Sequence, residues 1–440
     1  MRQYAKKYLW SRSIKTNVFL NPRIQLSRAT LLLIFIFGIS SNSFVSAESN
    51  KEAPLTLKQA LQKTLSSNPE LNLYPLYLRK SEAELQQADT YPVPEGEIEI
   101  SKEETSLTLS QSFELGNKRQ NRIGYSDAKQ QQLQAQFAIT KLNTMAETSR
   151  RFYHLLALQK QNDVLLTRIR QEKNALRVVT KRANAGAVTQ ADVSSMALRL
   201  ARSKNTLEQL AFSIDDAKSY LALMWLGQGT AINNISGNLS KLPTLPNEKQ
   251  LAELIKNGLE QLPDYQLQVA LLSLSESQLR LAKSNSRANF NIGLGIAHNN
   301  DTDDQSLIFT ASMPLNFLAI NGNPNRGRIN SAQAQQEVSF EQVEFKRQEL
   351  KLALSRIQNH LNKNIQLANR INSELLPLSV EVLRSTQKAY RQGRYQVSRW
   401  IDAQNQVFNL EQDLINSHVR IFNQILELER TLGQSIVNDQ

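Results

Sequence analysis

The chain has no cysteine among its 440 residues. Disulfides, thiolate metal sites and a lipid-bearing N-terminal cysteine are therefore excluded. Its four histidines, His154, His298, His360 and His418, lie far apart, and none has a second ligand-type residue at metal-binding spacing. Also missing are a glycine-rich phosphate loop, a nucleophile elbow and a paired-histidine zinc helix. No catalytic residue, metal or cofactor is expected. Acidic residues are absent from positions 1–47, which hold seven basic ones. Without that segment the formal charge of +12 shrinks to 45 basic against 40 acidic residues, read as spread along the chain. Aromatics are only 7% and are not interleaved with basic residues, so nucleic acid is not an expected partner.

Long apolar runs are scarce too. The one at Ala29–Ile39, "ATLLLIFIFGI", is about half the roughly 20 residues that a membrane-spanning helix needs. Basic residues precede it, and the small-residue "VSA" at Val45–Ala47 follows. Residues 1–47 thus read as a secretory signal peptide, with a short uncleaved anchor as the alternative. Nothing later is apolar enough to span a bilayer as a helix, so a membrane-embedded chain would need a closed β-barrel.

Helix breakers are missing where the chain is most regular. Glycine is absent from 125–185 and 187–226, and again from 328–392 and 394–432. Only Gly186 and Gly393 interrupt these stretches, and Pro377 is the one proline within them. They are rich in Gln, Leu, Ala, Lys, Arg and Glu, all good helix formers. Leu158, Leu165, Ile169, Leu176 and Val179 follow the spacing of a narrow apolar seam. A helix from Tyr125 to Ala185 would run for about 92 Å at roughly 1.5 Å per residue. Gly186 and Gly393 are placed at the turns of two long helical hairpins.

The hairpins belong to an internal duplication. Pro69 lies over Pro263, and "SEAEL" (Ser81–Leu85) over "SESQL" (Ser275–Leu279), at one offset. At slightly larger offsets "SLTLSQSFEL" (Ser106–Leu115) lies over "SLIFTASMPL" (Ser306–Leu315), and Gly186 over Gly393. The "LG" pair at Leu226–Gly227 lies over Leu432–Gly433. The expected plan is a first repeat at 48–227, with strands near 95–115 and a tip near 186. An inter-repeat segment at 228–262 follows. The second repeat spans 263–440, with strands near 289–315 and a tip near 393. The strand segments alternate strictly: Ile98 and Ile100 against Glu97 and Glu99, or Leu107, Leu109 and Phe113 against Thr108, Ser110 and Ser112. Such strands suit a soluble sheet with a dry core, or a wall with lipid on one side and water on the other. Four strands are too few to close a barrel, so the second reading needs several copies.

In this order the motifs resemble the TolC-type outer-membrane factors, the outer-membrane efflux proteins. The resemblance covers about 55–435. It rests on the duplicated helix–strand–strand–helix plan, "FELGNKRQNRI" (Phe113–Ile123), "RANAGAVTQADV" (Arg182–Val193), "AYRQGRYQVSRWIDAQ" (Ala389–Gln404) and the two "LG" closures. "ELGNKR" is similar to a run common in the heavy-metal-efflux branch, with Asn117 in place of a second glycine. The resemblance implies a mainly α fold with a small β part. Long hairpins would form a trimeric tunnel capped by a shared 12-stranded transmembrane barrel. It implies a homotrimer in the outer membrane of a Gram-negative cell, with a periplasmic extension that meets an adaptor protein and an inner-membrane pump. The chain would be a passive exit channel and not an enzyme. By motif, Gly186, Thr189, Asp192 and Gly393 mark hairpin tips and adaptor docking. Tyr390, Arg399 and Asp402 mark the gate constriction, with Arg399 where the family often has an acid. Glu95, Glu97 and Glu99 would face the barrel lumen. For Thr189 and Asp192 plain helix capping is an equal reading. A periplasmic coiled-coil adaptor or scaffold remains the alternative for the whole chain.

Overall fold

A computed structural model describes residues 54–243, 258–315 and 324–436, with Lys249 and Glu253 besides. The segment read as a signal peptide, and most of 244–257, lie outside the described residues.

The breaker-free stretches are helical rods. Helix α4 spans Lys118–Asn184, 67 residues, and α5 spans Gln190–Ala222. At about 1.5 Å per residue α4 is roughly 100 Å long. It begins seven residues before Tyr125, because Gly124 is helical, with open space where a Cβ would stand. Helix propensity over so many residues outweighs one glycine's cost of about 1 kcal/mol. The second rod is α7 (Pro324–Arg370), a five-residue π-helical turn at Ile371–Leu375, and α8 (Leu376–Arg391). Pro377 explains that turn. Proline donates no backbone hydrogen bond and crowds the preceding turn, and a locally wider turn accommodates it without ending the rod. Helix α9, Val397–Leu432, returns.

The opening helices differ between repeats. In the second, α6 is one helix, Pro263–Asn285. In the first, the equivalent run from Pro69 is divided into α2 (Pro69–Asn72) and α3 (Tyr74–Ala88), and α1 (Leu57–Ser67) precedes it. Asn68 occupies one break: its Oδ1 accepts from the Glu70 and Leu71 amides, and its Nδ2 donates to the Met224 carbonyl at 2.8 Å.

The rods pack through seams of alternating threes and fours. Leu350, Leu354, Ile357 and Leu361 of α7 meet Ile421, Ile425, Leu428 and Leu432 of α9, all buried. That spacing is a coiled-coil seam. A second cluster joins Phe152, Leu155 and Leu156 of α4 to Leu221 of α5 and Phe422 of α9. Ile232, Ile235 and Leu239 of the inter-repeat segment fill it further. Two residues of that segment, β4 (Ile235–Ser236), pair in parallel with β1 (Leu55–Thr56).

Four longer strands form one antiparallel sheet: β2 (Glu95–Ile100), β3 (Glu104–Phe113), β5 (Phe290–Asn299) and β6 (Gln305–Ser312), in the order β2-β3-β5-β6. The two repeats meet where β3 pairs with β5. No described helix is long and apolar enough to cross a membrane.

Candidate functional site

The register puts like side chains in rows. Ile98 pairs with Leu107, Leu107 with Ile296, and Ile296 with Leu307. Leu109, Leu294 and Phe309 make the next such row, and Phe113 stacks on Phe290 with ring centroids 5.1 Å apart. These rows are bare: Ile98 is 69% exposed, Leu107 52%, Ile296 59% and Leu307 89%. The other face carries Glu95, Glu97, Glu99, Thr108, Ser110, Asn291, Thr310 and Ser312, with Ala297 and Ile308 as the apolar exceptions. Here the strands crowd together. A Cβ on Gly293 would lie 2.3 Å from Thr310 Oγ1, and one on Gly295 2.6 Å from the Leu107 carbonyl. Sheet and water are thus arranged the wrong way round for a dry core: the apolar face is bare, and the polar face is crowded along its middle, at Ser106, Thr108, Gly293, Gly295 and Ala297. The outer edges of β2 and β6 have no strand partner among the described residues.

Where sheet becomes rod, the "ELGNKR" run forms a clasp. Gly116 has φ +84°, and a Cβ there would collide with the Arg287 side chain at 2.4 Å. Asn117 follows at φ 56°, left-handed as well. Asparagine enters that region more readily than most residues, so it can replace a glycine here. Arg119 Nε donates to the Asp89 carbonyl at 2.8 Å, and its guanidinium lies 4.4 Å from the centre of the Tyr91 ring. Arg122 pairs with Glu114 and donates to the Thr90 carbonyl at 2.8 Å. Lys118 bonds the Asn289 side chain, which leads into β5. The motif therefore ties the start of α4 to the segments that enter both halves of the sheet.

At the far ends of the rods the two turns share one geometry. Gly186 has φ +71° and Gly393 φ +76°. The amide of each donates three residues back, to Ala183 and Tyr390, and the next amide donates five back, to Arg182 and Ala389. This is a Schellman closure, which needs a left-handed residue. At the first tip Thr189 and Asp192 form a capping box: Thr189 Oγ1 accepts from the Asp192 amide at 3.2 Å, and Asp192 Oδ2 from the Thr189 amide at 3.1 Å. At the second tip Gln396 makes no such cap.

Tyr390, Arg399 and Asp402 do not converge within one protomer. Tyr390 is 1% exposed, in a small core with Val179, Met196, Val397 and Trp400. Its ring stacks on Trp400 at 5.1 Å. Arg182 of the first hairpin lies 4.8 Å over the same ring and donates to the Tyr390 carbonyl. Burial pushes the Tyr390 phenol above its ordinary pKa, so it stays neutral. Arg399 and Asp402, three residues apart on α9, are exposed, and Arg399 rests over Tyr395 at 5.6 Å.

A buried ion cluster below the tips is a further tie between the hairpins. Glu172 of α4 is 1% exposed, and its Oε1 accepts from Arg168 Nε at 2.8 Å and from Arg199 Nε at 2.7 Å. Both arginines reach α9: Arg168 to Asn405 Oδ1 at 3.2 Å, Arg199 to the Ile401 carbonyl at 3.5 Å. Only the four-residue spacing of Arg168 and Glu172 marks this in the sequence. Among the described residues no group of three or more His, Asp or Glu side chains is set to hold a metal ion.

No family model matches the chain. Over 386 residues it is 21% identical to the cobalt-zinc-cadmium resistance protein CzcC of Cupriavidus metallidurans, covering 87% of this chain and 90% of that protein. Solved structures similar to it include the outer-membrane channel OprN and the outer membrane protein VceC of Vibrio cholerae. OprN superposes with a TM-score of 0.71 at 17% identity, over 86% of this chain and 90% of OprN. VceC does so with 0.71 at 14% identity, over 86% and 96%. The fold of this chain is that of the TolC-type outer-membrane channels.

Proposed function

We propose that this protein is the outer-membrane channel of a tripartite efflux or secretion system. It gives small molecules or metal ions a passive path from an inner-membrane pump to the exterior. The observation that carries this is the sheet. Leaving large apolar side chains in water forgoes about 1.5–3 kcal/mol each. Facing them to lipid removes that penalty. Side chains converge on the concave side of a curled sheet, so the polar face, crowded around Gly293 and Gly295, is the inner one, and Glu95, Glu97 and Glu99 look into a water-filled lumen. Open edges on β2 and β6 would be a liability in a monomer. Three copies pairing edge to edge give a closed 12-stranded barrel. The rods continue the path into the periplasm, where the tips around Gly186, Thr189, Asp192 and Gly393 meet an adaptor protein. Tyr390, Arg399 and Asp402 stand at the constriction. Similarity to CzcC supports the heavy-metal-efflux branch. No bond is made or broken, and the chain is not an enzyme. A coiled-coil adaptor would share the rods but has no need of an inside-out sheet.

Paired cysteines test the reading. In whole cells Glu97→Cys should react with a small charged maleimide that enters through the channel. Ile98→Cys should resist it and instead take up a lipid-soluble probe. Equal reaction at both positions would place the sheet in water and sink the barrel.

A further inference from the structure

Charge along the chain is not evenly spread once the fold is known. Within eighteen residues of Gly186 and Gly393, positions 168–204 and 375–411, stand fourteen basic residues and only five acidic ones. The remainder of 48–440 holds thirty-one basic against thirty-five acidic. The five acids do little to balance the tips. Glu172 is buried under two arginines, Asp192 is engaged in the Thr189 cap, and Glu411 is half-buried, its carboxyl pushed above the usual range by that burial against the opposing pull of Lys160. Only Glu381 and Asp402 are exposed.

Arg177, Lys181, Lys388, Arg391, Arg394 and Arg399 are all exposed, and none forms an ion pair among the described residues. Helix-dipole complementation accounts for cations in a last turn. It reaches Lys181, Lys388 and Arg391 and no further, whereas Arg177 lies a turn earlier and Arg394 and Arg399 follow the turn.

We propose that the periplasmic mouth of the channel is anion-selective: of the two cargo classes named above it favours small anionic solutes over free metal cations, which sets this chain apart from a duct for uncomplexed metal ions. The inference rests on the channel reading, which places these tips around the entrance. Charges of one sign at a narrow entrance concentrate the opposite ion, and pores ringed by Arg and Lys pass anions. The Debye length is about 10 Å at 0.1 M salt, roughly the width of one helix, so those of the exposed charges that stand at the opening act on an ion there, and those on the outer face contribute little. Assembly of several copies multiplies the field. The acidic Glu95, Glu97 and Glu99 belong to the opposite end, where they act on solutes leaving the duct.

The test is a reversal potential. The full-length protein is reconstituted in a planar bilayer under a tenfold KCl gradient, beside Tyr390→Ala in case the resting channel is closed. Chloride should be preferred over potassium by roughly threefold or more. The triple variant Arg391→Glu, Arg394→Glu and Arg399→Glu should move the reversal potential towards the potassium value. Its retention of the heat-modifiable oligomer shows that it assembles, and Arg394→Glu alone should shift it in the same direction. The preference should weaken at 1 M KCl, where the Debye length falls to about 3 Å. A potassium preference, or a chloride preference untouched by both variants, overturns the inference and leaves the channel standing. No conductance from either the wild type or Tyr390→Ala overturns the channel reading and the inference with it.

Discussion

Single residues were most legible where the backbone has few choices. Gly186 and Gly393 stand out because so many residues around them avoid glycine, and both prove to be left-handed turn residues. Thr189 and Asp192 are separated by the capping-box spacing and form the box. Glu172 was illegible, because its two arginines come from different helices and its burial depends on a third. His418 is a similar case: one of four scattered histidines in the sequence, it is buried in the fold. Burial depresses its pKa from 6.5, so the folded chain keeps it neutral while the unfolded chain takes up a proton near 6.5. A depressed folded pKa gives stability that is present above the unfolded value and lost as pH falls towards the folded one. Melting temperature should therefore drop between about pH 7.5 and pH 5.5, and His418→Leu should drop less over the same interval. Equal drops would mean that His418 does not contribute to acid sensitivity.

Elements were legible through periodicity, and less so through pairing. Alternation gave the four strands and both of their faces. Which strand of one repeat meets which of the other is a long-range choice, and the β3–β5 junction could not be read from local pattern. The two-residue strands Leu55–Thr56 and Ile235–Ser236 are too short to carry a period at all. The sheet offers a paired comparison. Leu107 lies in the apolar row beside Ile98 and Ile296, while Thr108 faces the other way between Glu97 and Gly295. An arginine on the lipid side costs about 2–4 kcal/mol near the bilayer midplane, whereas lumen positions tolerate charge. Leu107→Arg should thus lower the amount of protein assembled in the outer membrane, and Thr108→Arg should not. Quantitative blotting of heat-modifiable oligomer checks this. The same loss from both variants would mean that neither face is lipid.

At the scale of the whole molecule, rods of this length give the two hairpins many places to separate, and polar ties cross between them both far from the turns, where Arg430 Nε donates to Asn143 Oδ1 at 2.7 Å, and close to them. Arg182 reaches across to the Tyr390 carbonyl and ring, and Arg168 and Arg199, both held by Glu172, reach α9. At the tips the contact between hairpins is the small core around Tyr390, Trp400 and Met196, so that core is where loosening one contact is expected to let the tips part. Truncating a buried aromatic to alanine costs about 3–5 kcal/mol, here taken from the contact between hairpins and not from the seams. Asp402 lies exposed on α9 and has no part in that contact. Tyr390→Ala together with Asp402→Ala should raise single-channel conductance in planar bilayers while the oligomer stays intact. Most of the gain should already be present in Tyr390→Ala alone. If the gain instead follows Asp402→Ala, the barrier is a ring of exposed charge around the opening, not the packing between hairpins. Unchanged conductance in all three would remove both residues from the gate.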